Sequence, residues 1–410
     1  MPGHNGKMNS LPTRIARKQQ SITLLVVAEI MVMTLWFSSA AVLPDMVAEN
    51  PVSGLRQAML SSAVQAGFAI GAVVFALLGL ADRFDPRRVF MLSALGAALL
   101  NAGLLALPIG SSAAICARFL TGALLAGVYP VGMKIAVGWG EKDRGLLVGL
   151  LVGALTLGSA APHLLSLAGG ADWRSVVAAA SVLSALGGGL VVFAGLGPHH
   201  AQAIRFRFAS LKRAWTDKRI RAAFAGYLGH MWELYAMWAW IGIALTASFA
   251  LRTDAVAAAN AAKLTAFSAI GIGAIACVAA GLIADRIGKA EVTILAMAGS
   301  GSAALAAAFS FGGPIWIVAL VFLLWGAFIV ADSAQFSALV ADYAPPAEAG
   351  ALMTLQTALG FALTVMTVQA TPWLAEWIGW RGVFAVLAAG PALGIAAMWQ
   401  LRRRPDMDKS

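Results

Sequence analysis

At 410 residues, 60% apolar and only 12% charged, the chain carries about half the charge of a soluble domain, for which about 25% is usual. A formal net charge of +10 invites comparison with nucleic-acid binders, but the basic residues lie in short segments between apolar runs, where anionic headgroups are the expected neighbours. Cys116 and Cys277 both fall inside apolar runs, and two isolated thiols make neither a disulfide framework nor a metal cluster.

Twelve apolar runs near the length of a membrane span follow one another: 22–44, 57–80, 89–107, 113–138, 145–168, 175–196, 222–249, 259–284, 291–311, 315–341, 350–372 and 382–401. Lipid offers no partner to backbone groups, so each is expected to be a helix. The run at 22–44 exceeds a signal-peptide core and is read as the first span. With an even number of spans, one side collects twenty-two Lys and Arg and the other four, Arg56, Arg174, Arg252 and Arg381. That asymmetry places both termini in the cytoplasm. The expected layout is a cytoplasmic tail (1–21), a six-helix bundle (22–196), a basic linker (197–221), a second six-helix bundle (222–401) and a short tail (402–410). The linker holds Phe206, Phe208, Leu211 and Trp215 among seven basic residues. It reads either as an interfacial amphipathic helix or as a plain polar connection.

The two halves repeat each other. Glu29-x3-Met33-x2-Trp36 recurs 204 residues later as Glu233-x3-Met237-x2-Trp240. Leu80-Ala81-Asp82-Arg83 recurs as Ile283-Ala284-Asp285-Arg286, and Trp173-Arg174 as Trp380-Arg381. A duplicated membrane chain with matched acids in its spans points to a pathway between the copies. Glu29 and Glu233 each lie roughly 16–18 Å into a helix at 1.5 Å per residue, close to the middle of the hydrocarbon layer. Either can bind protons or coordinate a solute, and either can instead be a structural carboxylate bonded to a neighbouring helix.

His230, Met237 and Trp240 share the Glu233 face by helical spacing, and Met33 and Trp36 share that of Glu29. His230 is placed to trade a proton with Glu233 or to hold it. The aromatic residues Trp36, Trp232, Trp238 and Trp240 suit stacking of a planar or cationic ligand, or simple packing. The fourth span offers Arg118, Tyr129 and Lys134: Arg118 for the cavity or for helix packing, Lys134 for the cavity or for snorkelling to the surface. The tenth offers Asp332 and Gln335, which share a face at i, i+3, with Asp332 expected to meet a cation from the fourth. Gly145, Gly149 and Gly153 form a small-residue stripe for close helix contact.

The segment Gly281-Leu-Ile-Ala-Asp285-Arg286-Ile-Gly288-Lys289 resembles the loop after the second helix of each half in the major facilitator superfamily. The first copy, Leu78 to Arg88, keeps Asp82-Arg83 but has Asp85-Pro86 where the second Gly is expected. Arg118-Phe-Leu-Thr-Gly122 and the two Trp-Arg pairs are similar to further superfamily features. The resemblance implies an all-α membrane protein of two pseudo-symmetric six-helix bundles. It also implies a central cavity lined by helices 1, 4, 7 and 10, and alternating access by rocking of the halves. Asp82, Arg83, Asp285 and Arg286 then form a cytoplasmic gate, each carboxylate latching onto a helix start or an Arg of the facing bundle.

The expected function is secondary transport of a small organic solute across the inner membrane, coupled to protons. Efflux of drug-like amphiphiles is the alternative, and a non-transporting sensor a remote one. No metal, nucleotide or other cofactor is called for, no ATP site or enzymatic motif is present, and a monomer in the lipid bilayer is the expected state.

Overall fold

The computed structural model describes residues 11–141, 143–169, 172–199 and 211–402. All regular structure among these residues is helical. The first half holds α1 (Leu11–Met33), α2 (Ser38–Ala41), α3 (Leu43–Glu49), α4 (Gly54–Leu78), α5 (Leu80–Arg83), α6 (Pro86–Ala102), α7 (Ser112–Leu125), α8 (Tyr129–Val137), α9 (Arg144–Ala168) and α10 (Trp173–Leu190). The second holds α11 (Arg213–Thr216), α12 (Lys218–Phe249), α13 (Ala255–Ile287), α14 (Lys289–Ser310), α15 (Ile315–Ala331), α16 (Ser333–Tyr343), α17 (Pro346–Leu387) and α18 (Ala389–Arg402). Nine helical stretches among the described residues are long and apolar enough to cross a membrane. The helices that carry Glu29 and Glu233 are not among the nine, and the last stretch, 348–402, contains a reversal. At Gly379 the backbone leaves the helix (φ 69°), and the chain returns along α12, with Val386 accepting from Trp232 and Gly390 against Gly229.

Helix starts follow local chemistry. Asp85, Ser111, Asp172, Asp217 and Asp254 each accept a hydrogen bond from a first-turn N–H, which satisfies donors that the helix itself cannot. The two Asp-Arg loops turn by different means. In the first copy Gly79 takes a left-handed conformation (φ 60°), a short turn carries Asp82, and Asp85-Pro86 starts the next helix. In the second, α13 runs on through Asp285 to Ile287 and Gly288 (φ 103°) makes the turn. The sequence difference between the copies is thus a difference in where the glycine turn sits.

The first expected span begins early, at Leu11, and is not continuous. Residues 34–37 form turns between α1 and α2. The fourth span is broken at 126–128 and the tenth at Asp332. Pro130 accounts for the second break, since it lacks an N–H and its ring crowds the carbonyl four residues back. The linker reading falls largely on 200–210, outside the described residues; of its apolar members, Trp215 is exposed in the single turn α11.

Within the first half α1 packs on α9 and α10, α4 on α7, and α6 on α10. Within the second, α12 packs on α17 and α18, and α13 and α14 on α15. Equivalent crossings recur: a β-carbon on Gly122 would overlap the Val64 carbonyl, and one on Gly326 the Ala269 carbonyl. Only glycine allows these backbones to meet so closely. The most extensive helix pairs between the halves, among the described residues, are α9 with α13 and α4 with α17, and α2 also meets α12 and α9 meets α16. The glycine stripe lies on the first: Gly149 faces Val278 and Gly153 faces Ala274.

Candidate functional site

At mid-depth the halves meet through six rings. Trp36 lies 4.8 Å from Phe68, 5.7 Å from Tyr235 and 5.5 Å from Phe361, centroid to centroid. Phe37 stands 6.0 Å from Tyr235 and 5.8 Å from Trp238. Three rings come from α4 and the turn after α1, and three from α12 and α17. Towards the end remote from Leu11 and Arg402, Gln369 donates to Ser62 (3.2 Å) and Lys263 pairs with Asp45 (3.2 Å) across the junction.

The break after α1 is held by Arg118, which is fully buried. Its guanidinium donates to the carbonyls of Leu35 (3.0 Å) and Trp36 (2.7 Å), to Asn101 Oδ1 (2.8 Å) and to Ser38 Oγ (3.2 Å); Nε alone has no acceptor. The unwound turn frees the carbonyls and the cation satisfies them. Arg118 therefore does not face a cavity; it positions Trp36 and Phe37.

The repeated glutamates have different surroundings. Glu233 accepts from Ser300 Oγ (2.5 Å) and Trp325 Nε1 (3.1 Å), inside the second half. Glu29 is equally buried, but neither oxygen has a hydrogen-bond partner. Its Oε2 lies 3.1 Å from where Gly132 would carry a β-carbon, beside Phe90 and Leu151. At the Ser300 and Trp325 offsets the first half has Gly96 and Thr121, and Thr121 donates to Ala117 of its own helix. The donors that serve Glu233 have no equivalents around Glu29.

His230 turns away from Glu233. Its Nε2 lies 2.9 Å from Ser333 Oγ, and Nδ1 approaches Asp332 Oδ1 at 2.8 Å without the alignment of a hydrogen bond. The side chain that Asp332 meets is thus His230 of α12, not a cation from the fourth span. The break at Asp332 brings this about by tilting α16 against α12. Gln335 is buried one turn on, and Tyr129, at the start of α8, is half-buried. Trp240 is committed to the Val368 carbonyl (2.9 Å).

At the end carrying Leu11 and Arg402, Lys134 pairs with Asp82 and donates to the Ala81 carbonyl (2.8 Å). Asp82 is thus engaged inside its own half. Asp285 lies across the junction, about 3.8 Å from the β-position of Gly145 in the first turn of α9. Arg83 and Arg286 are exposed. Residues that spacing alone did not single out include Phe37, Phe68, Tyr235 and Phe361 in the ring layer, Asn101 beneath Arg118, and Gln356. The Gln356 amide is 1% exposed with neither its nitrogen nor its oxygen bonded.

No curated protein sequence matches the chain. Solved structures do match. A crystal structure of a variant of the nucleoside transporter NupG superposes with a TM-score of 0.69 at 14% identity, covering 93% of this chain and 99% of that one. The proton:xylose symporter XylE bound to 6-bromo-6-deoxy-D-glucose gives 0.69 at 14% identity, with 93% and 96% covered. At this identity the likeness establishes the fold. The family model of the Major Facilitator Superfamily matches residues 25–260, more than half of a chain whose halves meet as these do, and the protein is a member of that superfamily of transporters.

Proposed function

We propose that the protein moves a small organic solute across the cytoplasmic membrane by alternating access, driven by protons that Glu29 carries. It does so as a monomer of twelve spans, six in each half, with both termini and the 197–221 linker in the cytoplasm. The observation that carries the reading is the unlike fate of the repeated acids. An ionised carboxylate in hydrocarbon needs partners. Glu233 has two donors, whereas Glu29 has Gly132, Phe90 and Leu151. A group in that position exchanges its proton only when the first half changes shape, and such a change is what access to alternate sides involves. The buried His230–Asp332 pair joins α12 to the break before α16. Asp285 against the start of α9 acts as the latch at the cytoplasmic end, while Lys134 holds Asp82 within the first half. The proteins resembled in fold are named for a nucleoside and for xylose with a proton, which supports a small organic solute.

Purified protein in proteoliposomes with an imposed pH gradient tests the assignment. Glu29→Gln loses uphill accumulation and keeps solute exchange, while Glu233→Gln keeps both. The reverse pattern would move the coupling site to the second half. The ring layer favours one other reading, efflux of apolar amphiphiles; accumulation in inside-out rather than right-side-out vesicles would select it.

A further inference from the structure

Two hollows lie in the second half at the end that holds Leu11 and Arg402, and their charges are arranged differently. One, of about 530 Å³, has Arg219, Lys289 and Arg402 on its wall together with Asp285, Glu291 and Asp342. Lys289 pairs with Asp342 there, and Arg402 with Glu291. Its charges answer one another. The other is a groove of about 250 Å³ between the start of α12 and the end of α18. Lys218, Arg219 and Arg221 line it, and none of its lining residues is acidic. The acid next in sequence, Asp217, caps α12 by accepting from the N–H groups of Arg219 and Ile220, and lies 3.9 Å from Arg219 Nε. It answers for one cation at most.

The three cations stand where the helix disfavours them. α12 runs for 32 residues with no acid in its first turn, and the amino end of a helix carries partial positive charge that cations aggravate and an anion relieves. Arg219 lies over the Tyr343 ring (5.2 Å) and Arg221 donates to the Trp215 carbonyl (3.2 Å), contacts that bring no negative charge. Lys218 is exposed. Below the cations the groove is apolar. α12 and α18 pack backbone to backbone at Gly229, where a β-carbon would overlap Gly390 and Gly394. Between that contact and the charged end the lining residues are small, Ala222 and Ala225 on α12 and Ala396 and Ala397 on α18, so a furrow opens between the helices. It reaches Leu393, which is 72% exposed and roughly 12 Å from Leu401 at 1.5 Å per residue. Trp215 and Trp399 are exposed at the same end, as tryptophans at a membrane surface are.

We infer that this groove is a binding site for an anionic phospholipid: Lys218, Arg219 and Arg221 hold the phosphate, and an acyl chain lies along the alanine furrow towards Leu393. The inference stands apart from the transport reading. Both walls belong to the second half, so the site does not depend on the contact between the halves. A free inorganic anion would meet the cations and leave the furrow empty. A zwitterionic phospholipid would fill the furrow and bring the cations no net charge. A lipid with a net negative headgroup satisfies both parts, and basic hollows between spans are a general way of holding such headgroups.

The full-length protein, taken from nanodiscs of equal parts phosphatidylglycerol and phosphatidylcholine with identical chains, tests this by native mass spectrometry of the lipid it retains. Phosphatidylglycerol is expected to be preferred by at least about 25-fold, about fivefold for each of Lys218 and Arg221. Lys218→Gln with Arg221→Gln brings the preference to within about fivefold of none, the share left to Arg219. Arg83→Gln with Arg88→Gln removes two exposed cations outside the groove and leaves the preference intact. Ala225→Leu with Ala396→Leu fills the furrow and lowers retention at least about fourfold with every cation in place, the worth of one buried methylene. In phosphatidylcholine alone the Lys218 and Arg221 double variant melts no lower than the parent, because the helix start is relieved; a lower midpoint would show that the cations were already compensated and overturn the inference. Equal retention of the two lipids overturns it, and so does an equal loss of preference in the Arg83 and Arg88 pair, which would assign the attraction to the surface at large. Retention untouched by the filled furrow removes the chain from the groove and the inference with it. Displacement of the lipid by inorganic phosphate would assign the cations to a free anion instead.

Discussion

Replacing Arg118 by Met keeps length and apolar bulk but deletes a cation that no hydrocarbon environment tolerates without partners. In the structure it donates to two backbone carbonyls, an amide oxygen and a hydroxyl. Each charge-assisted bond contributes about 1.5–3 kcal/mol, and each buried acceptor stranded by its loss costs about 1–3 kcal/mol. Part of that is recovered, because the desolvation cost of the cation vanishes with it; removing one side of a buried polar set nets about 3–5 kcal/mol. Arg118→Met is therefore expected to lower unfolding stability by that amount. Arg118→Lys falls between, since an ammonium cannot span acceptors arranged for a planar fork. Unfolding in detergent, followed by tryptophan fluorescence, measures both, and Trp36 sits on the turn that would collapse. If Arg118→Met unfolds within about 1 kcal/mol of the parent yet no longer binds solute, Arg118 is a ligand-binding residue and the structural account is wrong.

Gly122→Val and Gly326→Val should each prevent a monodisperse folded protein, because their β-carbons would overlap the Val64 and Ala269 carbonyls. Gly189→Ala, with open space around it, should be neutral; size-exclusion profiles decide. The Glu49 carboxyl is held at about 2 by hydrogen bonds from Arg174 and Trp173. A lowered value contributes stability above the ordinary carboxylate range that is lost as pH falls from about 4.5 towards 2. Thermal midpoints should drop through that window in the parent, with a shallower drop in Glu49→Gln; equal slopes would remove the clamp from the account. Lys212→Cys should resist, and Asp254→Cys accept, an impermeant thiol reagent on intact cells, and the opposite result would invert the topology.

Much of the architecture was legible because a duplication leaves paired marks. Matching acids, Asp-Arg loops and apolar runs of span length all bear on how far a residue sits from a membrane surface, and sequence spacing reports that distance directly. The nine apolar spans, the packing of the halves and the stripe at Gly149 and Gly153 agree with it. The break at 34–37 was not legible. Thr34-Leu-Trp-Phe37 contains neither Gly nor Pro; the turn is held by Arg118, 83 residues along the chain. His230 went to Asp332 and not to Glu233 for a related reason. Spacing along one helix fixes which residues share a face, but the partner came from another helix whose own break tilted it closer. The ring layer hid in plain composition, since Phe37, Phe68 and Phe361 look like any other apolar residues of a span.

Six rings, and no hydrogen bond between them, form the middle of the junction. Each pair contributes about 0.5–1.5 kcal/mol beyond its buried area, and the attraction fades gradually with distance and angle. A seam of hydrogen bonds would behave otherwise, since parting it in a dry interior strands every donor and acceptor at once. This contact can slide, tilt and separate one ring at a time, without a single steep barrier. It works as a dry clutch between two stiff plates: firm enough to hold when engaged, and released by small torques at either rim.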